Sequence, residues 1–196
     1  MLSLFLGLAA FVLYLLYDIN SFTRKNPVIH SFFTVGTVFL GVATVLDLYA
    51  SWKAGCFSGA GDILLLAGAA LAFAAMIYCL FFALPFTETY ADQESGNRVC
   101  RTGVYALCRH PGVLCFAAMY LLLGLGALPD RMILRGMLYS ALNLAYVCFQ
   151  DRVTFPRTFC DYEDYRQKVP FLIPTRNSAM TAWKTLFRAD SEEDVP

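Results

Sequence analysis

The chain has 196 residues, 58% of them hydrophobic and only 15% charged, and its formal net charge is zero. Soluble domains carry nearer a quarter charged residues, so the composition argues against a soluble globule. It also argues against a nucleic-acid partner, which would call for a strong basic excess.

The first apolar run, Leu2 to Tyr17, lacks a basic leading segment and a small-x-small cleavage site, so it reads as a retained helix rather than a signal peptide. The second runs from about Val28 to Tyr49 with Asp47 as its one charge. The third, Ile63 to Phe86, is rich in Ala and Gly, which allow membrane helices to approach closely. A polar stretch, Thr87 to His110, follows. The fourth and fifth runs, Pro111–Leu128 and Met132–Phe149, are separated only by Pro129, Asp130 and Arg131, which predicts a tight helical hairpin. Each run approaches the roughly 20 residues a spanning helix needs. The expectation is an all-α polytopic membrane protein with about five transmembrane helices and a cytoplasmic C-terminal segment.

With the C-terminus cytoplasmic, 12 of the 15 Lys and Arg residues fall inside and only Lys53, Arg131 and Arg135 outside. The positive-inside rule then places the N-terminus outside. One transmembrane domain over residues 1–178 is expected, followed by a tail, 179–196, ending in Asp190, Glu192, Glu193 and Asp194. Before that end, Trp183, Leu186 and Phe187 alternate with Lys184 and Arg188, the pattern of either a short interfacial helix or a mobile tail.

The seven cysteines contain no C-x-x-C, and neither a disulfide framework nor a zinc site fits their spacing. Cys79, Cys115 and Cys148 lie in apolar runs, whereas Cys100, Cys108 and Cys160 lie in polar segments and Cys56 in a Gly-rich turn.

Two polar segments flank the hairpin on its cytoplasmic side. The first is Thr102-Gly103-Val104-Tyr105-Ala106-Leu107-Cys108-Arg109-His110-Pro111. The second starts Gln150-Asp151-Arg152, continues Phe159-Cys160-Asp161-Tyr162-Glu163-Asp164-Tyr165, and ends Val169-Pro170-Phe171-Leu172-Ile173-Pro174. A hairpin returns the chain to the face it left, so Arg109 and His110 are expected near Asp151 and Arg152. The plain reading is that Arg109 and Arg152 snorkel to headgroups while Asp151 pairs with one of them. In that reading Tyr105, Tyr162 and Tyr165 form an interfacial belt, and His110 with Pro111 starts a helix.

The order Gly-x-Tyr-x-x-x-Arg-His-Pro, followed after the hairpin by Phe-x-x-Tyr-x-x-Tyr-x-x-x-Val-Pro-x-x-x-Pro, resembles the isoprenylcysteine carboxyl methyltransferase and phospholipid methyltransferase superfamily. The resemblance covers about residues 98–174. The chain departs from that pattern at Val113, where the family usually has Tyr, at Gln150 and Asp151, which stand near two glutamate positions, and at Cys160, which replaces a glycine. The resemblance implies S-adenosyl-L-methionine as cofactor, held by Gly103, Tyr105, Arg109, His110, Pro111, Asp151, Tyr162 and Tyr165.

In that implied site, Arg109 would pair with the donor's carboxylate and His110 would donate to the carboxylate or the ribose. Tyr105 would face the sulfonium, a contact worth about 0.5–2 kcal/mol. Asp151 would hold the ammonium or the ribose hydroxyls. Arg152 would steer an anionic acceptor or simply pair with Asp151, and Glu163 would serve as base for an amine or thiol acceptor. The acceptor would be hydrophobic or lipid-like, reached from the surrounding membrane lipids. Two rival readings are a sterol-reductase-like enzyme using a nicotinamide dinucleotide phosphate and a non-catalytic membrane scaffold. A transporter would show broken or charged helices at midplane, of which there is little. Asp47 reads as an interfacial residue and Glu88, with Thr87 and Thr89, as part of a solvated loop or a cofactor cover.

Overall fold

A computed structural model describes residues 1–23, 26–83, 98–128 and 131–186. The expectations for Arg24, Lys25, the loop around Glu88, Pro129 and Asp130, and the end from Phe187 onward lie outside those residues. Every regular element among the described residues is helical. In chain order the helices are α1 (Leu2–Phe22), α2 (Pro27–His30), α3 (Phe32–Lys53), α4 (Ala60–Ile77), α5 (Val104–Leu107), α6 (Pro111–Gly126), α7 (Met132–Phe149), α8 (Phe155–Thr158), α9 (Tyr162–Lys168) and α10 (Arg176–Leu186). Wide π-helical turns extend α4 over Tyr78–Phe82 and α7 over Gln150–Thr154.

Four helical stretches among the described residues are long and apolar enough to cross a bilayer: Leu2–Phe22, Pro27–Lys53, Ala60–Phe82 and Met132–Thr158. At 16 residues, α6 is apolar but shorter than the other four. These helices expose large apolar side chains along their lengths, among them Phe5, Val12, Val38, Val45, Leu64, Leu71, Leu134 and Met137. Such surfaces suit hydrocarbon, and the chain therefore reads as an integral membrane protein.

The chain forms two compact units, Met1–Phe73 with Phe116–Thr154, and Ala74–Cys115 with Phe155–Pro196. In the first unit, α1 buries Ser3, Gly7, Ala10, Phe11, Tyr14 and Asp18, a stripe at helical spacing. The corresponding stripe of α3 is Gly36, Leu40, Ala43, Asp47 and Ser51. Small residues on both stripes let the backbones close in, as in other membrane bundles. A Cβ at Gly36 would lie 3.1 Å from the Ala10 carbonyl, and one at Gly7 would run into the Tyr139 ring at 2.3 Å. Gly136 of α7 packs equally closely on the Tyr120 carbonyl of α6. Between α1 and α2, Asn20 and Asn26 are clamped by two 2.9 Å hydrogen bonds, and the Asn26 side chain accepts from Val28 N–H to start α2.

Asp47, expected from sequence to be an interfacial residue, is turned into the bundle. It is 3% exposed and ion-paired with Arg135, whose guanidinium also donates to Ser3 Oγ at 3.0 Å. Its place on the small-residue stripe turns it into the bundle. In the second unit, the region before residue 187 is helical over Arg176–Leu186, where Met180 and Trp183 are exposed beside Arg176 and Lys184.

Candidate functional site

Eight of the ten residues singled out from sequence fall in the second unit: Gly103, Tyr105, Arg109, His110, Pro111, Tyr162, Glu163 and Tyr165. That unit is where the two polar segments meet. The backbone N–H of Arg109 donates to the Pro170 carbonyl at 2.9 Å. Its guanidinium Nη1 donates to the carbonyls of Arg166 at 2.7 Å and Val169 at 3.1 Å. These carbonyls lie at and just beyond the C-terminal end of α9, where a cation complements the helix dipole. The guanidinium also lies over the Phe171 ring, 5.5 Å from its centroid.

His110 is buried at 8% exposure. Its ring stacks on Phe155 at 5.8 Å and 16°, and meets Phe171 edge-on at 5.0 Å. Pro111 then opens α6, where its missing N–H costs nothing. Tyr162 and Tyr165 are almost fully buried, and Tyr162 packs against Phe155, Phe159 and Tyr165. The Tyr165 hydroxyl donates to the Tyr105 carbonyl at 2.7 Å, while the Tyr105 hydroxyl donates to the Cys79 carbonyl at 2.7 Å. Burial pushes the Tyr165 phenol above its ordinary range, which keeps it a donor.

Gly103 adopts φ +58°, ψ −132°, a conformation costly for any side-chain-bearing residue, and its N–H donates to Thr185 Oγ1 of α10 at 3.0 Å. Glu163 points outward, its side chain 65% exposed and 3.5 Å from Arg166. Asp151 and Arg152 belong to the first unit, on the π-helical turn Gln150–Thr154, where Asp151 is buried and Arg152 exposed. Such turns recur at functional positions because they redirect side chains out of α-helical register.

Sequence reading missed Arg101. Its guanidinium pairs with Asp161 at 2.8 Å and Asp164 at 2.5 Å, and Asp161 also accepts from Val99 N–H at 3.0 Å. Asp164 in turn pairs with Lys168. This network ties the start of one motif segment to the other. The signal was the pair of aspartates flanking Tyr162 and Glu163, read only as part of a pattern. Cys108 is fully buried, and burial raises its thiol pKa, so it behaves as a small apolar residue rather than a thiolate.

Among known proteins, the chain is 29% identical over 105 residues to the nickel-cobalt-cadmium resistance protein NccN of Alcaligenes xylosoxydans xylosoxydans. The match takes in 52% of this chain and 44% of that protein, so the chain spans less than half the length of the relative it matches. No family model and no solved structure matches the chain.

Proposed function

We propose that the chain is a membrane-embedded methyltransferase that uses S-adenosyl-L-methionine and acts on a hydrophobic or lipid-like acceptor bearing a carboxylate, amine or thiol. The observation that carries this reading is the meeting of the two motif segments in one unit, with Arg109, His110, Tyr105, Tyr162 and Tyr165 on interlocking hydrogen bonds and ring contacts. In the same reading, residues 1–178 form one domain with five spans, of which α6 is one. The N-terminus is outside, and the C-terminus and the cofactor face are cytoplasmic. An α6–α7 hairpin is supported by contacts that run in opposite order along the two helices, Gly124 against Ile133 and Tyr120 against both Gly136 and Tyr139.

The donor set suits the proposed cofactor. A guanidinium has five N–H groups in a planar fork and can hold backbone carbonyls while pairing with a carboxylate. Arg109 would take the donor's carboxylate, His110 would hydrogen-bond beside it, and the Tyr105 ring would offer a face to positive charge. Tyr162, Tyr165 and the Gly103 turn would set these groups in place. When bound, the cofactor supplies an electrophilic methyl group. The protein's own part is positioning in a dry site, with no base needed for a carboxylate acceptor. Exposed Glu163 is the sequence-based candidate base for an amine or thiol.

A catalytically silent scaffold is the second reading. It is favoured by the way backbone carbonyls already engage Arg109 Nη1 and the Tyr165 hydroxyl, as a purely structural role would require. The relative's name raises metal tolerance as a cellular context. Among the described residues, however, no group of three His, Cys, Asp or Glu is placed to hold a metal ion, so direct metal handling is not the favoured reading.

Calorimetric titration of the detergent-purified protein with S-adenosylhomocysteine, beside reduced nicotinamide dinucleotide phosphate, tests the proposal. Saturable binding of the first ligand is expected. It should be lost in Arg109→Ala, weakened in His110→Ala and kept in Arg131→Ala, with unfolding midpoints recorded alongside. Binding of only the nicotinamide ligand would make the protein a reductase. Binding of neither by a folded protein would favour the scaffold.

A further inference from the structure

Two aspartates lie on the buried stripes of the first unit. On α1 the stripe runs Ser3, Gly7, Ala10, Tyr14, Asp18, and on α3 it runs Gly36, Leu40, Ala43, Asp47, Ser51, at the same spacing. Both aspartates are almost fully buried, at 2% and 3% exposure. Their surroundings differ in one respect. Asp47 has the guanidinium of Arg135 as an ion-pair partner, whereas no cation among the described residues pairs with Asp18.

Asp18 is surrounded instead by neutral groups from the end of α7 and its π-helical turn. Tyr146, Gln150 and Thr154 lie close around its carboxyl. Gln150 Nε2 donates to the Tyr146 hydroxyl at 2.9 Å, which leaves that hydroxyl's own proton for the carboxylate. Three neutral polar side chains thus surround one carboxyl. Yet Oδ2 of Asp18 is buried with no hydrogen-bond partner among the described residues. A carboxylate so placed within a membrane bundle is expensive unless something positive completes it.

We infer that Asp18, with Tyr146, Gln150 and Thr154, forms a binding site for a single positive charge taken by oxygen ligands, either an alkali ion or a primary ammonium group. The stoichiometry of charge argues for a monovalent occupant, since one carboxylate and three neutral groups would leave a buried divalent ion unbalanced. The ligand chemistry narrows the occupant further. The groups offer carboxylate, phenol, amide and hydroxyl oxygens and neither thiolate nor imidazole, a hard set that does not select soft metals. Four residues separate Asp18 from the end of α1 at Phe22, about 6 Å along a helix axis, so an ion from the aqueous face has a short way to travel. Tyr146, Gln150 and Thr154 follow one another at four-residue intervals, which places them on one face of α7 and its π-helical turn. This site stands independently of the methyltransferase reading.

The test is thermal unfolding of the full chain in detergent at constant ionic strength. Tetramethylammonium chloride is replaced stepwise by sodium, potassium or methylammonium chloride. Tetramethylammonium carries charge but has no N–H and is too bulky for the site. At least one of the other three is expected to raise the midpoint saturably. A response to sodium or potassium identifies an ion site, and one confined to methylammonium identifies an amine site. Asp18→Asn should raise the half-saturating concentration at least tenfold, and Tyr146→Phe, which keeps the ring, severalfold. The proposal is overturned if no salt exceeds the tetramethylammonium reference in the unsubstituted protein, as for a carboxyl that simply carries a proton. It is equally overturned if Asp18→Asn responds as the unsubstituted protein does. Should Asp18→Asn not be recovered folded, an unchanged half-saturation in Tyr146→Phe would overturn it.

Discussion

The hydroxyl of Tyr165 donates to the backbone carbonyl of Tyr105 at 2.7 Å, a bond that joins two segments 60 residues apart in the chain. Both belong to the motif pattern read from sequence, so the bond explains why a tyrosine rather than a phenylalanine occurs at 165. Tyr165→Phe keeps the packing and leaves a part-buried carbonyl without this donor, at a cost of about 1 kcal/mol. The pH dependence follows from burial. The phenol's pKa is raised in the folded protein, so its contribution is complete below the unfolded tyrosine value of about 10 and is lost as pH rises through the folded value. Unfolding midpoints measured across alkaline pH should therefore fall more steeply for the unsubstituted protein than for Tyr165→Phe.

Arg101 supplies a second link, and its pH dependence has the opposite sign. The carboxyl of Asp164 is held below its ordinary range by hydrogen bonds from Lys168 and Arg101. Its contribution is present above the unfolded carboxylate value and is lost as pH falls through the lower folded value. Because Asp164 is exposed, salt will screen the effect. Arg101→Gln should loosen the residues around Val99 and Asp161, read as faster amide exchange there. The difference from the unsubstituted protein should shrink in acid and at high salt. Equal exchange in both proteins at neutral pH and low salt would show that the network holds nothing in place.

The helices and the motif segments were legible because each rests on a local signal: unbroken apolar length, or residues in fixed order. The partners of the charges were not. Distance along the run alone suggests an interfacial Asp47. The stripe Gly36, Leu40, Ala43, Asp47 carries the information that it faces inward, beside Arg135. The first unbroken apolar run ends at Tyr17, yet the helix carries Asp18 and continues to Phe22. Glu163 was singled out by its place in a pattern, yet the face of α9 it occupies is set by Tyr162 and Tyr165, which bury themselves and turn Glu163 outward. Side-chain direction on a seven-residue helix depends on what packs against it, and sequence order does not contain that.

The glycines of the stripes give a sharper stability prediction than their composition alone suggests. A Cβ at Gly136 would lie 3.0 Å from the Tyr120 carbonyl oxygen and 3.1 Å from its Cβ, both parts of a helix that cannot yield without moving as a whole. Gly136→Ala should destabilise the first unit by about 1–3 kcal/mol through overpacking. Gly41 meets nothing within 4 Å, so Gly41→Ala should be neutral or slightly stabilising by removing backbone freedom. Unfolding in denaturing detergent, measured on both variants, separates close packing from a general intolerance of these helices to substitution.

The Asp47–Arg135 pair lets burial and charge be separated. Removing one partner leaves an uncompensated charge inside an apolar helix, at a cost of about 3–5 kcal/mol. Asp47→Asn and Arg135→Met should each approach that loss. The Ser3 contact makes the arginine substitution slightly the worse, because Ser3 Oγ also loses its donor. Combining the two removes both charges, and the double variant should recover much of the stability, since a desolvated pair is worth little more than a well-packed neutral one. A double-mutant cycle on the unfolding free energy measures the coupling. Strong coupling with recovery in the double variant would make the pair a self-contained structural contact. Additive losses would mean that each charge has another partner, and would point the search for that partner to the side chains around Ser51 and Met132, which pack beside Asp47 in the same unit.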